Sequence, residues 1–124
     1  DGLFAAARLM AGASRVALLL DPDRLPMVPG LTRALPDPAE RLRIAGFGGD
    51  YELLAALPPA SVVGARAALA PLDCPLTEIG RVVPGRGAWR TGPGGRSPLP
   101  PTGWDPFRPG LPGGGPERRG DGPR

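Results

Sequence analysis

The chain contains no lysine, histidine, asparagine or glutamine, and with no histidine a Cys/His zinc site is excluded. Cys74 is the single cysteine, so no internal disulfide forms, and a reduced, cytoplasmic setting is the default expectation. Nothing basic enough to hold a thiolate lies beside it in the sequence, and it reads as structural or incidental. Long apolar runs are missing too. Val16–Leu20 is among the longest, against the ~20 residues that a bilayer span needs, and no leader pattern is visible, so no membrane partner is expected. Aromatic residues make up 5% of the chain, leaving a core of alanine, leucine and valine that is thin for independent stability.

What is abundant is equally restrictive. Among 124 residues there are 20 glycines and 19 prolines, well above the usual ~7% and ~5%, so the regularly folded part is smaller than the chain. All 15 basic residues are arginine, against 12 acids, for a net charge of +3. They are scattered, with only Arg118 and Arg119 adjacent. Nucleic-acid binding would call for a basic face with interleaved aromatics, and is not expected.

In chain order, the 3.6-residue spacing of Leu3, Phe4, Ala7 and Met10 predicts a helix over 2–13, with Asp1 at its N-cap. A short buried strand over 15–20 follows, then a proline turn from Asp21 to Pro26. A brief helical piece at 31–35 precedes a helix over 38–45, capped by Asp37 with Pro38 at its first position and Glu40 in its first turn. Alternation of Tyr51, Leu53 and Ala55 against Glu52, Leu54 and Ala56 predicts a strand over 50–57. An alanine-rich helix over 60–70 is expected to lie back across the sheet. Strands are predicted over 76–83 and 86–90, the second able to pair with the first as a hairpin. The fold class is therefore α+β: a small mixed sheet covered by helices.

From residue 91 to 124 the chain holds 10 glycines and 9 prolines without periodicity, the composition of a disordered tail. Two domains of unequal order are thus expected, 1–90 and a tail over 91–124. Within the tail, Gly103-Trp104-Asp105-Pro106-Phe107 places two aromatics where they would be wasted in solvent, which predicts docking on the domain surface or on a ligand. The stretch that carries most chemistry is Gly46-Phe47-Gly48-Gly49-Asp50-Tyr51-Glu52, a flexible turn running into carboxylates. It allows close backbone approach to a ligand while presenting charge, although a plain loop entering a strand has the same composition.

Five segments then occur in a telling order. Asp1-Gly2-Leu3, Leu19-Leu20-Asp21 with Leu25-Pro26, Gly48-Gly49-Asp50-Tyr51-Glu52-Leu53-Leu54, Ile79-Gly80-Arg81-Val82 and Gly103-Trp104-Asp105-Pro106-Phe107 together resemble the C-terminal half of thiamine-monophosphate kinase, of the aminoimidazole ribonucleotide synthetase-like superfamily. The resemblance covers Asp1 to about Arg90 plus the Trp104 segment. It implies ATP-dependent phosphorylation of thiamine monophosphate to thiamine diphosphate, with Mg²⁺ held by aspartates. Phosphoryl transfer demands positioning and charge neutralisation more than covalent chemistry, so a site without histidine suits it.

Matched residue by residue, Asp1 corresponds to the last aspartate of the family's Asp-x-Ser-Asp-Gly-Leu signature and is the implied metal ligand. Trp104 matches an aromatic that contacts the thiamine moiety, whose cationic ring suits an indole face. Asp50 and Gly49 fall in the substrate-side loop. There the family carries an additional acid, replaced here by Gly49 or deleted. Alanine stands at Ala5-Ala6 where Gly-Asp is frequent, and Pro106 where histidine is usual.

Nothing in the chain resembles the family's N-terminal domain, which supplies most ATP and metal ligands and the dimer interface. The resemblance therefore implies that domain of the same protein as a partner, a homodimer at full length, and an inactive chain in isolation. Two other readings stay open: a divergent superfamily member with another substrate or a non-catalytic binding role, and a binding module acting through the tail.

Overall fold

In the computed structural model, residues 2–49 and 51–101 are described. Helix α1 spans Leu3–Ser14, and its apolar spacing does what the sequence predicts: Phe4, Ala7 and Ala11 are buried on one face. The helix stops at Arg15, whose left-handed conformation (φ 56°) lets its amide bond back to the carbonyl of Gly12, a helix C-cap more often made by glycine. The N-cap position belongs to Gly2, not to Asp1 as the sequence reading has it, and no side chain of the described residues caps the first turn.

The chain then enters β1, Ala17–Leu20, its most apolar strand and the one placed near the centre. The sheet order is β2-β1-β3-β4, with β2 at Gly80–Val83, β3 at Gly87–Gly92 and β4 at Gly95–Pro98. β1 is antiparallel to β2 and parallel to β3, and β3 is antiparallel to β4. The α+β architecture expected from the sequence is the one observed. The expected hairpin between the segments that form β2 and β3 is not, because β1 lies between them.

Both partners meet β1 at the same residue, Ala17 pairing with Val83 on one side and Gly87 on the other. Three residues must therefore cross the end of β1, a span of about 10 Å. Gly85 at the middle of this crossing has φ 134°, and a Cβ on it would sit 3.2 Å from the Ala17 Cβ. The crossing lies directly on Ala17, which is 1% exposed. Gly80 is constrained more tightly still, since a Cβ there would collide with the Leu19 carbonyl oxygen.

One face of the sheet, through Leu18, Leu20 and Ala88 with Leu99 beyond β4, packs against Phe4, Ala7 and Ala11, and Leu42 completes the cluster. Leu42 comes from α3, Pro38–Ala45, whose Asp37 side chain accepts from the Ala39 amide at 2.9 Å with Pro38 behind it, as the sequence indicates. The short α2, Leu31–Ala34, is tied to α3 by Arg41, whose guanidinium donates to the carbonyls of Leu35 and Pro36.

Residues 51–57 form no strand. Tyr51 holds φ 54°, a left-handed kink that breaks the pleat at its first residue. Tyr51 and Leu53 both stand in solvent, while Leu54 reaches the core. Helix α4, Val62–Leu69, has no buried residue. Its contacts run chiefly to the short 3₁₀ turns that flank it, rather than across the sheet as expected. The fourth strand is instead β4, which lies within the segment 91–124 expected to be disordered; the sheet continues past the anticipated boundary at residue 90.

Candidate functional site

The glycine turn takes its position from the end of α3. The Gly46 amide bonds to the Leu42 carbonyl at 3.2 Å and the Phe47 amide to Ile44 at 2.9 Å, so the helix unwinds into the turn without a break in hydrogen bonding. Beyond it Gly48 (φ 91°), Gly49 (φ 98°) and Tyr51 (φ 54°) are all left-handed. For Tyr51 such a conformation costs on the order of 1–2 kcal/mol, and its side chain is wholly exposed, so no burial of the ring offsets that cost.

The start of α1 is pressed against this turn. Gly2 (φ 82°) approaches so closely that a Cβ on it would overlap the Gly46 carbonyl oxygen and lie 2.9 Å from the Gly48 amide nitrogen. Only glycine fits, on grounds of both space and backbone conformation. Two segments separated by more than forty residues, Gly2-Leu3 and Gly46–Gly49, thus form one surface. Among the described residues no side chain caps the first amides of α1, and they mark the positive end of the helix dipole. The amides of a helix N-terminus beside a glycine-rich turn make a setting in which an anion is favoured.

Of the four site residues expected from the sequence, Gly49 is the one among the described residues. It is exposed, and a Cβ added to it would meet nothing within 4 Å. The obstacle to a side chain at this position is the backbone, not space. Asp1, Asp50 and Trp104 lie outside the described residues. Sequence reasoning missed the structural part of Gly2, although its place between the expected cap and the first apolar residue of α1 was a usable signal.

A neighbouring pair of segments also meets. Asp21 follows β1 and accepts from the Asp23 amide, and its own amide bonds to the Ile79 carbonyl at 2.8 Å. Arg24 bridges Asp21 (3.3 Å) and Glu78 (3.1 Å). The proline turn is thereby fastened to the approach to β2. These acids are engaged by the guanidinium, and no group of three metal-ligating side chains occurs among the described residues. The described side chains do not by themselves fit a divalent cation.

Comparison with known proteins adds the following. Over 82 residues, 66% of this chain, the sequence is 42% identical to a thiamine-monophosphate kinase of Halobacterium salinarum, covering 27% of that protein. Over 91 residues, 70% of the chain, it is 36% identical to a thiamine-monophosphate kinase of Caulobacter vibrioides, covering 26% of it. The chain spans about a quarter of the length of the curated relatives it matches. No family model matches, and no solved structure does.

Proposed function

We infer that this chain, similar in sequence to thiamine-monophosphate kinases, is the C-terminal part of such an enzyme and contributes to ATP-dependent phosphorylation of thiamine monophosphate. The observation that carries this reading is the contact of Gly2 with Gly46 and Gly48. It brings the first turn of α1 and the glycine turn to one surface, and both substrates of the reaction are phosphates. The first amides of α1 would take a phosphate oxygen as acceptor, and the left-handed glycines leave room for the ligand to approach the main chain. The contribution is binding and orientation, which is most of what phosphoryl transfer asks of a protein.

Asp50 would face the same substrate, Trp104 would stack on the thiamine ring, and Asp1 would ligate Mg²⁺; these roles are part of the proposal. The described side chains supply no metal site of their own. Cytoplasmic location, a homodimer at full length and dependence on an N-terminal domain belong to the same reading. No helix among the described residues is long and apolar enough to cross a membrane.

A second reading, a divergent member acting on another substrate, is favoured by Gly49, whose φ of 98° disfavours the acid that the family carries in this loop. One assay separates the two. The longer protein that contains this chain is expected to convert thiamine monophosphate and ATP to thiamine diphosphate; a folded protein that hydrolyses or transfers from ATP but leaves thiamine monophosphate untouched supports the second. The isolated chain is expected to show no micromolar Mg-ATP binding by isothermal titration.

A further inference from the structure

A cavity of about 450 Å³ opens at the opposite end of α1 from the glycine turn. Arg8 and Arg15 enter it from the helix and Arg86 from the crossing between β2 and β3, while Ala11, Ala88 and Leu99 supply an apolar floor. At 1.5 Å per residue, Arg8 and Arg15 lie roughly 9 and 20 Å along the helix from Gly2. The cavity is thus separate from the glycine-turn surface.

Three arginines line this space, and among the described residues no acidic one does. Arg8 is engaged, donating to the Pro100 carbonyl, but keeps its charge. Arg15 and Arg86 have no carboxylate partner among the described residues. The carboxyl end of α1 opposes an anion here with about half a negative charge. That is outweighed by three full positive charges, and the end is also capped, with the Arg15 and Val16 amides bonded to Gly12 and Ala11.

Trp89 is the lining residue that can report on this site. Its indole Nε1 donates to the Arg86 carbonyl at 2.8 Å, which holds the crossing against the ring. Arg96 lies 4.8 Å over the ring centroid, stacking on the aromatic from the neighbouring strand. The ring is therefore fixed by two contacts independent of any ligand. Arginines around an apolar floor select an anionic head on an apolar body, since the planar guanidinium matches the oxygens of phosphate and carboxylate.

We propose that this cavity binds a small phosphate- or carboxylate-bearing molecule with an apolar ring or chain, at a site separate from the glycine turn. The test titrates the full 124-residue chain, at constant ionic strength, with phenyl phosphate, inorganic phosphate and phenol. The readout is the indole N–H resonance of Trp89, assigned by its loss in Trp89→Phe. Phenyl phosphate is expected to shift it saturably, inorganic phosphate to do so more weakly, and phenol not at all. Arg15→Asn with Arg86→Ser should weaken phenyl phosphate by at least about tenfold, Asn being tolerated in the left-handed conformation of Arg15. Arg33→Ser, on α2, should leave it unchanged. Unaltered thermal unfolding by circular dichroism qualifies each variant. An unsaturable shift, an equal loss in Arg33→Ser, no loss in a folded double variant, or movement of the Trp104 resonance instead would overturn the proposal.

Discussion

Two glycines in left-handed conformation, Gly2 and Gly49, look alike in sequence and differ in surroundings. A Cβ on Gly2 would overlap the Gly46 carbonyl, whereas one on Gly49 would meet open space. Gly2→Ala therefore carries both conformational strain and a backbone clash, and should cost at least about 2 kcal/mol in urea unfolding. Gly49→Ala should cost only the conformational part, on the order of 1 kcal/mol. Equal losses for the two would mean that the Gly2–Gly46 contact does not constrain the fold. Phe4 is the largest fully buried side chain, and Phe4→Ala is expected to cost about 3–5 kcal/mol by the same measurement. In a core otherwise made mostly of alanine and leucine, so large a loss would leave little native protein at ambient temperature.

Elements that satisfy their own ends were the legible ones. Asp37, Pro38 and Glu40 announce α3, and Asp37→Ala should remove about 1 kcal/mol, read as a lower unfolding midpoint. For α1, the spacing of Phe4 and Ala7 gave the buried face directly. Where the reading failed, the deciding interaction lay elsewhere in the chain. Alternation over residues 50–57 describes a strand only if an edge is open to receive it, and Tyr51 (φ 54°) turns the chain aside first. β4 was hidden for the converse reason. Its composition is that of a tail, yet Arg90 Nε donates to Ser97 Oγ at 2.7 Å and the strand pairs with β3 from Trp89 to Gly92. The meeting of Gly2 with the glycine turn was likewise invisible, because it depends on how α1 and α3 pack together. Helix α4 exposes Val63 and buries nothing. Its amides should exchange with solvent far faster than those of β1, a contrast that hydrogen exchange followed by mass spectrometry would resolve.

At the scale of the molecule, both ends of the described chain close on α1. Arg8 reaches the Pro100 carbonyl, and the Leu99 amide bonds to Ala88 at 3.1 Å beneath the helix. A chain ended at Gly92 loses β4 and Leu99 together, and is expected to unfold without a cooperative transition, as judged by the breadth of its thermal melt. The placement of β1 has a consequence in time as well as in space. It is made from residues 17–20, yet its two partners are β2 and β3, some sixty residues further on. During synthesis the most apolar of the described strands must therefore wait, unpaired, until some sixty to seventy further residues have left the ribosome. At ~5–20 residues per second that is an interval of seconds, during which α1, already complete, is the nearest apolar surface on which β1 can shelter.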